Sequence, residues 1–288
     1  SETDQIHIGR DPFGVRPMFY GQNGFSDIEI ASEMKAISPL SNIYQFPPGS
    51  IMSIDVKHLK CTDPIRYLTV PEIPVGDYNY SCLQIREAFQ KAVHKRLMSD
   101  RPIGCLLSGG LDSSLVCAIV AREFKNQGRG VLNTFSIGFP GSTDLIYAKQ
   151  VAEYIGSCHH EILLTEADFL DAIPTVIKTV ESYDTTTVRA SVGNYLVSKY
   201  IKENTNITVV FNGDGSDEVA GGYLYLKNAP SEEAFHDECL SLLGNIHFFD
   251  VLRSDRSLSS NWSLESRTPF LDKEFVYTYL NTPVQFRV

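Results

Sequence analysis

The chain has 288 residues, 43% of them hydrophobic, with a formal net charge of −10 and a pI near 5.2. No apolar run approaches the length of a membrane span, and no Lys/Arg cluster stands out, which argues against a nucleic-acid surface and a membrane partner. The six cysteines (Cys61, Cys82, Cys105, Cys117, Cys158, Cys239) show neither CxxC pairs nor regular spacing, so a reduced, cytoplasmic setting is expected, with Cys105 and Cys117 in the core.

Residues 1 to about 70 read as short strands joined by turns. The polar start Ser1-Glu2-Thr3-Asp4-Gln5 lacks an initiator Met and any signal-peptide pattern, and reads as a cut. Ile6 and Ile8 precede Arg10-Asp11-Pro12-Phe13-Gly14-Val15-Arg16-Pro17. Met18 to Tyr20 is expected to pair with Ile28 to Ser32, and Ile51 to Ile54 to form another strand. Glu33 to Ile37 is at most a short helix, and Phe46-Pro47-Pro48-Gly49 is a turn. So short a segment should lean on the rest of the chain for its core. Val70 to Tyr80, rich in Pro and turn formers, is the expected linker, with 71–80 as its bounds.

Ser81 to Met98 has the spacing of an amphipathic helix, with Leu83, Ile85, Ala88, Phe89, Ala92, Val93 and Leu97 on its apolar face. Lys91, Lys95 and Arg96 read as solvated charges near its end. From Pro102 onward strands and helices alternate. Strands are expected at Pro102–Leu107, Val131–Phe139, His159–Leu164 and Ile207–Phe211. Helices follow Ser114, span Leu145 to Ile155 with Gly156 as the stop, and cover Phe169–Val180, Ala190–Glu203 and Val219–Leu226. Adjacent His159 and His160 would face opposite sides of their strand, so a shared metal is not expected. Such alternation implies an α/β fold, a parallel sheet with flanking helices and ligands at the strand carboxyl ends.

Two glycine-rich loops follow apolar strands. The first is Ser108-Gly109-Gly110-Leu111-Asp112-Ser113-Ser114. Glycines and hydroxyls at a strand-to-helix turn can aim several N–H groups at one anion, aided by the helix N-terminus. The loop lacks the Lys-Ser/Thr pair of a Walker A sequence. Asp112 beside phosphates requires a divalent cation, so magnesium is implied. The second loop, Asn212-Gly213-Asp214-Gly215-Ser216-Asp217-Glu218, carries three carboxylates, which would repel one another unless a cation or a substrate ammonium sits among them. In a doubly wound sheet the two loops would meet.

The string SGGLDSS resembles the PP-loop of the ATP pyrophosphatases. Together with RDPFGVRPMFYG, ASEMKAI, FPPGS, FSIGFPGSTDL, HHEILLT, ESYDTTTVRAS, NGDGSDEVAGGYLY and ESRTPFLD, it resembles the glutamine-hydrolysing asparagine synthetase family over nearly the whole chain. The resemblance implies a PP-loop adenine-nucleotide α-hydrolase-like fold over residues 81–288, preceded by a partial β-rich glutaminase segment over residues 1–70. It implies that aspartate, ATP and free or glutamine-derived ammonia yield asparagine through β-aspartyl-AMP, and that the protein forms homodimers. It places Leu107 and Ile137 at the nucleotide and Asn212 and Gly213 on its ribose or base side. Ser108, Gly109, Gly110, Ser113 and Ser114 cradle the pyrophosphate, and Asp112 and Asp217 hold magnesium. Thr186, Thr187, Arg189, Asp217 and Glu218 contact substrate, and Asp214 and Arg189 act in catalysis. A guanidinium in a Thr-rich turn suits Arg189 to gripping a carboxylate or phosphate.

Three departures from the family pattern stand out. No N-terminal catalytic Cys is present, and Ser1 aligns with the interior of a glutaminase domain, so no glutaminase activity is expected of this chain. Asp214 and Asn212 replace the Glu and Ser of the family's S-G-E-G-S-D-E loop. A basic segment with a catalytic Lys is expected beyond PFLD, and no residue in the sequence is seen to replace that charge. The alternatives are another PP-loop ligase (a β-lactam, NAD or GMP synthetase) and a catalytically impaired nucleotide-binding fragment. A hydrolase using Ser108 is disfavoured, because there is no GxSxG elbow.

Overall fold

A computed structural model describes residues 4–23, 27–39, 42–58, 60–67 and 76–287. Ser1 and the first half of the expected linker, residues 71–75, fall outside them.

The N-terminal strands are β1 (Gln5–Gly9), β2 (Phe19–Asn23), β3 (Asp27–Ala31), β4 (Asn42–Gln45), β5 (Ser50–Asp55), β6 (Lys60–Cys61) and β7 (Ile65–Arg66). They form two antiparallel sheets, one ordered β1-β5-β6 with β7 also on β5, the other β3-β2-β4. The expected pairing of 18–20 with 28–32 is the β2–β3 ladder. Alternation along β5 buries Met52 and Ile54, which join Ile8 and Phe46 in a small core. The buried Arg10 guanidinium donates to the carbonyls of Arg16, Phe46 and Gly14 at 2.9, 2.6 and 3.1 Å. Asp11 accepts from the N–H groups of Phe13, Val15 and Arg16. The loop so fixed inserts Phe13 into the main core of the C-terminal part.

That part comprises α1 (Tyr78–Lys95), β8 (Ile103–Leu106), α2 (Leu111–Asn126), β9 (Asn133–Gly138), α3 (Thr143–Ile155), β10 (Cys158–Leu163), α4 (Glu166–Val180), α5 (Thr185–Asn204), β11 (Val209–Phe211), α6 (Ser216–Ala220), α7 (Glu232–Asn245), α8 (Asp250–Asp255), β12 (Glu265–Arg267) and α9 (Lys273–Leu280). Its five strands form one parallel sheet in the order β10-β9-β8-β11-β12. Val116, Ile119, Val120 and Phe124 of α2 are buried against it, each worth about 1.5–3 kcal/mol. All six cysteines are free, and Cys105 and Cys117 are buried. Among the described residues no helix is long and apolar enough to cross a membrane.

Several local expectations are corrected. Helix α1 starts three residues early because Asp77 caps it, accepting from Tyr80 N at 2.8 Å. Leu83 lies 47% exposed, away from the apolar face. Lys95 and Arg96 are not simply solvated: they pair with Asp272 at 2.8 and 2.6 Å and tie α1 to α9. Burial works to raise Asp272, but these two cations hold it below the usual carboxylate range. Helix α5 begins five residues early, since Asp184 accepts from Thr187 N at 2.8 Å and draws the threonines into its first turn. The helix expected at 219–226 is the five-residue α6, stopped at Gly221, followed by a 3-10 turn over Leu224–Asn228. His159 lies between Thr134 and Ser136, while His160 stacks on Phe135 with centroids 4.7 Å apart. Both histidines are structural.

Candidate active site

Strand β8 has β9 and β10 on one side and β11 and β12 on the other, so the order in which strands are added reverses at β8 and β11. A crevice forms outside the strand carboxyl ends at such a point. Both glycine-rich loops enter it. They enclose a cleft of about 320 Å³, lined by Leu106, Ser108, Gly110, Asp112 and Ser113 on one side and residues 212–218 on the other.

The first loop is preorganised by its own hydroxyls. Ser108 Oγ lies 2.9 Å from Ser113 Oγ, Ser108 N donates to Ser113 Oγ at 3.2 Å, and Ser114 Oγ donates to Gly110 O at 2.6 Å. Gly110 is the N-cap of α2 and provides no side-chain cap, so the first turn keeps its N–H groups for a ligand. Gly109 has φ +84°, and a Cβ there would lie 2.6 Å from the backbone nitrogen of Ala148. Only glycine fits.

The loops approach closely at Gly213. A Cβ on Gly213 would stand 2.9 Å from Ser113 N and 3.1 Å from Asp112 Cβ. Asn212 anchors the second loop from behind, donating to Ser254 Oγ at 2.6 Å and Ser266 Oγ at 3.0 Å, while its Oδ1 accepts from Asp214 N at 3.3 Å. The Asn at this position is therefore a structural tie.

Asn194 of α5, Tyr223, Asp250 and Arg253 complete the lining, and the sequence reading named none of them. Arg253 Nη2 donates to Asp214 Oδ1 at 2.9 Å and also contacts Asp250 Oδ1. Asp250 Oδ2 accepts from Gly215 N at 2.9 Å. Arg253 puts a fixed guanidinium in the cleft beside Asp214, while Arg189, the arginine expected there, lies outside the lining. The only advance signal of Arg253 is a charged i,i+3 pair inside the apolar run Phe248-Phe249-Asp250-Val251-Leu252-Arg253.

The cleft is strongly acidic, with Asp112, Asp214, Asp217, Glu218 and Asp250 around one arginine. Burial, then the Asp214 charge, push Asp250 up to about 8 against the pull of Arg253. Burial works against the Arg253 charge, but Asp214 and Asp250 outweigh it and hold the guanidinium above its ordinary range. Burial and then Asp112 raise Asp217, and burial also raises Glu218, which accepts from the Tyr223 hydroxyl. One oxygen of Asp214, Oδ2, is buried without a hydrogen-bond partner.

The structure thus brings together Ser108, Gly110, Asp112, Ser113, Asn212, Gly213, Asp214, Asp217 and Glu218. Gly109 and Ser114 shape the first loop from behind. Leu107 packs in the core with its N–H bonded to Phe135 O, and Ile137 packs against a second apolar cluster. Neither is in the lining. Thr186, Thr187 and Arg189 also lie outside it, on the first two turns of α5. There Thr187 is buried, and Arg189 is exposed with no ion pair among the described residues.

No group of three or more metal-ligating side chains is assembled among the described residues. Asp112 and Asp217 nevertheless interact closely enough for one to raise the other, and a cation between them would relieve that repulsion. Two carboxylates, with phosphate oxygens and water, suit magnesium.

The profile of the asparagine synthase family matches residues 84–233 and 227–288. The chain is 42% identical to the glutamine-hydrolysing asparagine synthetase of Mus musculus, covering 99% of this chain and 55% of that protein. The enzymes named likewise in Bos taurus and Homo sapiens are 42% and 40% identical over the same shares. The chain therefore spans little more than half the length of these relatives. With the family profile matched over most of its length and identity at this level, the chain belongs to the asparagine synthase family.

Proposed function

We propose that this chain carries the synthetase chemistry of asparagine formation. The β-carboxylate of aspartate attacks the α-phosphorus of ATP, the bond to the β-phosphate oxygen breaks, and pyrophosphate leaves. Ammonia, free or glutamine-derived, then attacks the acyl carbon of β-aspartyl-AMP. AMP departs, the nitrogen loses a proton, and asparagine results. On this reading residues 81–288 are the synthetase domain and residues 1–70 belong to a glutamine amidotransferase domain. The observation that carries the proposal is the contact of Gly213 with the backbone of the first loop, which joins a phosphate cradle to an acidic wall at the switch point.

The chain's residues have separable tasks. The first-turn N–H groups of α2, with Ser108, Gly109, Gly110, Ser113 and Ser114, receive the pyrophosphate. Asn212 and Gly213 border the ribose, while Leu107 and Ile137 support the nucleotide side from the core. Asp112 and Asp217 would hold magnesium, which screens phosphate charge when bound. Asp214, presented by Arg253, orients the attacking carboxylate and steadies charge at the phosphorus. Glu218 faces the substrate ammonium. Thr186 and Arg189, exposed at the start of α5, meet aspartate from that side, with Thr187 buried beneath them as support.

Calorimetry tests this reading. Wild type should bind ATP in the presence of magnesium at least about tenfold more tightly than Asp112→Ala does. Without magnesium the variant should bind ATP no worse than wild type, because an acidic group beside phosphates is then only repulsive. Equal binding with magnesium present removes Asp112 from the site.

A further inference from the structure

Helix α8 runs directly into a π-helical segment, Arg256–Ser260, and four consecutive residues at the junction divide between two destinations. Arg253 and Ser254 point to the cleft, where they hold Asp214 and Asn212 at 2.9 and 2.6 Å. Asp255 and Arg256 point to the N-terminal sheets. Asp255 Oδ1 pairs with Arg16 Nη1 at 2.5 Å. Arg256 is fully buried, 5.6 Å from the Phe19 ring centroid, with Glu181 and Glu33 at 3.1 and 3.4 Å.

This second end is closely tied. Glu181, between α4 and α5, accepts from the N–H groups of Met34 and Lys35 at 2.9 and 2.8 Å. Glu33 accepts from Ser260 at 2.5 Å, and Lys35 pairs with Glu33 at 2.6 Å. Arg256 Nη1 and Nη2 lie within ion-pair distance of these carboxylates but off hydrogen-bond geometry. A buried guanidinium so incompletely satisfied is costly. A π-helical turn beside it is a further local irregularity of the kind that gathers near functional sites. Both features begin three residues from Arg253, which presents Asp214.

We infer that the segment Asp250–Arg256 transmits docking of the N-terminal sheets to the cleft, making Arg16, Glu33 and Arg256 positioning residues for Arg253 and Asp214. A one-residue step on a helix turns a side chain by about 100°, so a rotation that frees Asp255 and Arg256 also re-aims Arg253 and Ser254. The consequence for catalysis rests on the proposed function. The structural coupling does not.

The test is amide hydrogen exchange on the full chain without nucleotide, in Arg16→Ala, Glu33→Gln and the double variant. The reporter is the Gly215 amide, held by Asp250 from across the cleft. In the double variant the Met34, Lys35 and Gly215 amides should exchange about tenfold faster together, with β9 unchanged. Lys57→Ala, which breaks a surface pair with Asp4 on the same sheets, should move none of them. If Met34 and Lys35 open while Gly215 keeps its parental rate, the inference is overturned. Should the double variant loosen β9 as well, Arg16→Ala alone, whose side chain is 51% exposed, is read by the same criterion. In the aspartate-dependent pyrophosphate assay the variants should lose about tenfold in kcat, with KM for ATP within about twofold. A chain that never releases pyrophosphate sinks the functional reading and leaves the exchange result standing.

Discussion

Gly213→Ala is the sharpest perturbation the cleft offers. The added Cβ would lie 2.9 Å from Ser113 N, 3.1 Å from Asp112 Cβ and 3.2 Å from the Asp112 carbonyl carbon, against 3.4 Å for ordinary contact. Two of these three atoms are backbone, so no side chain can swing aside. Reaching 3.4 Å from Ser113 N needs 3.4 − 2.9 = 0.5 Å of loop separation. A misplacement of about 1 Å can cost about a hundredfold in rate, so half that corresponds to about tenfold. Overpacking should also cost about 1–3 kcal/mol of stability. The assay pairs calorimetric ATP affinity with pyrophosphate released in the presence of aspartate, minus that released without it. Affinity should drop only a few-fold, since the first loop keeps its internal bonds, while the aspartate-dependent rate falls about tenfold. An unchanged rate in a folded Gly213→Ala protein would show that the two loops do not form one reaction centre.

Two further predictions concern the acids. Asp250 titrates near 8 in the folded chain against about 3.9 unfolded, so the folded state binds the extra proton. That contribution to stability is complete below about pH 4, declines as pH rises to about 8, and is flat beyond. Asp250→Asn keeps an acceptor for Gly215 N–H and removes the titration. Melting from pH 5 to 9 should show a shallower slope, with the variant overtaking the parent above pH 8, and parallel curves would refute the assignment. Asp214→Asn keeps an acceptor for Arg253 but removes the charge, and aspartate-dependent pyrophosphate release should fall about a hundredfold with ATP affinity nearly unchanged. Asp214→Glu, which advances the carboxylate by about 1 Å, should raise that release. A full rate in Asp214→Asn would take the acid out of the chemistry.

What could be read in advance was local. SGGLDSS is shaped by its own hydroxyls and by a helix start set by adjacent residues, so the string alone locates a preorganised strand-to-helix loop. The alternation of apolar strands with helices gives the parallel sheet, and adjacency of β8 and β11 makes the two loops meet. Arg253 and Asp250 escaped because their partners, Asp214 and Gly215, lie 39 and 35 residues away in sequence. An apolar stretch with two charges reads as an ordinary amphipathic turn. The start of α5 differs for another reason: three threonines disfavour a helix interior, yet the Asp184 cap recruits them into a first turn. Lys95 and Arg96 looked solvated because Asp272 approaches from a helix almost two hundred residues on.

Phe13 has a consequence for how this molecule can come apart. Its ring is 5% exposed and belongs to the same apolar cluster as Phe89, Val116 and Phe270. The seam in the sequence, near residues 71–80, is therefore not the seam in the packing. Withdrawing the N-terminal sheets would leave a phenyl-sized void in the other part's interior, at about 3–5 kcal/mol for such a truncation. A plug of this kind makes melting a shared event. The N-terminal sheets and the parallel-sheet part should lose structure at one temperature, and a single cut between them should leave the two pieces joined.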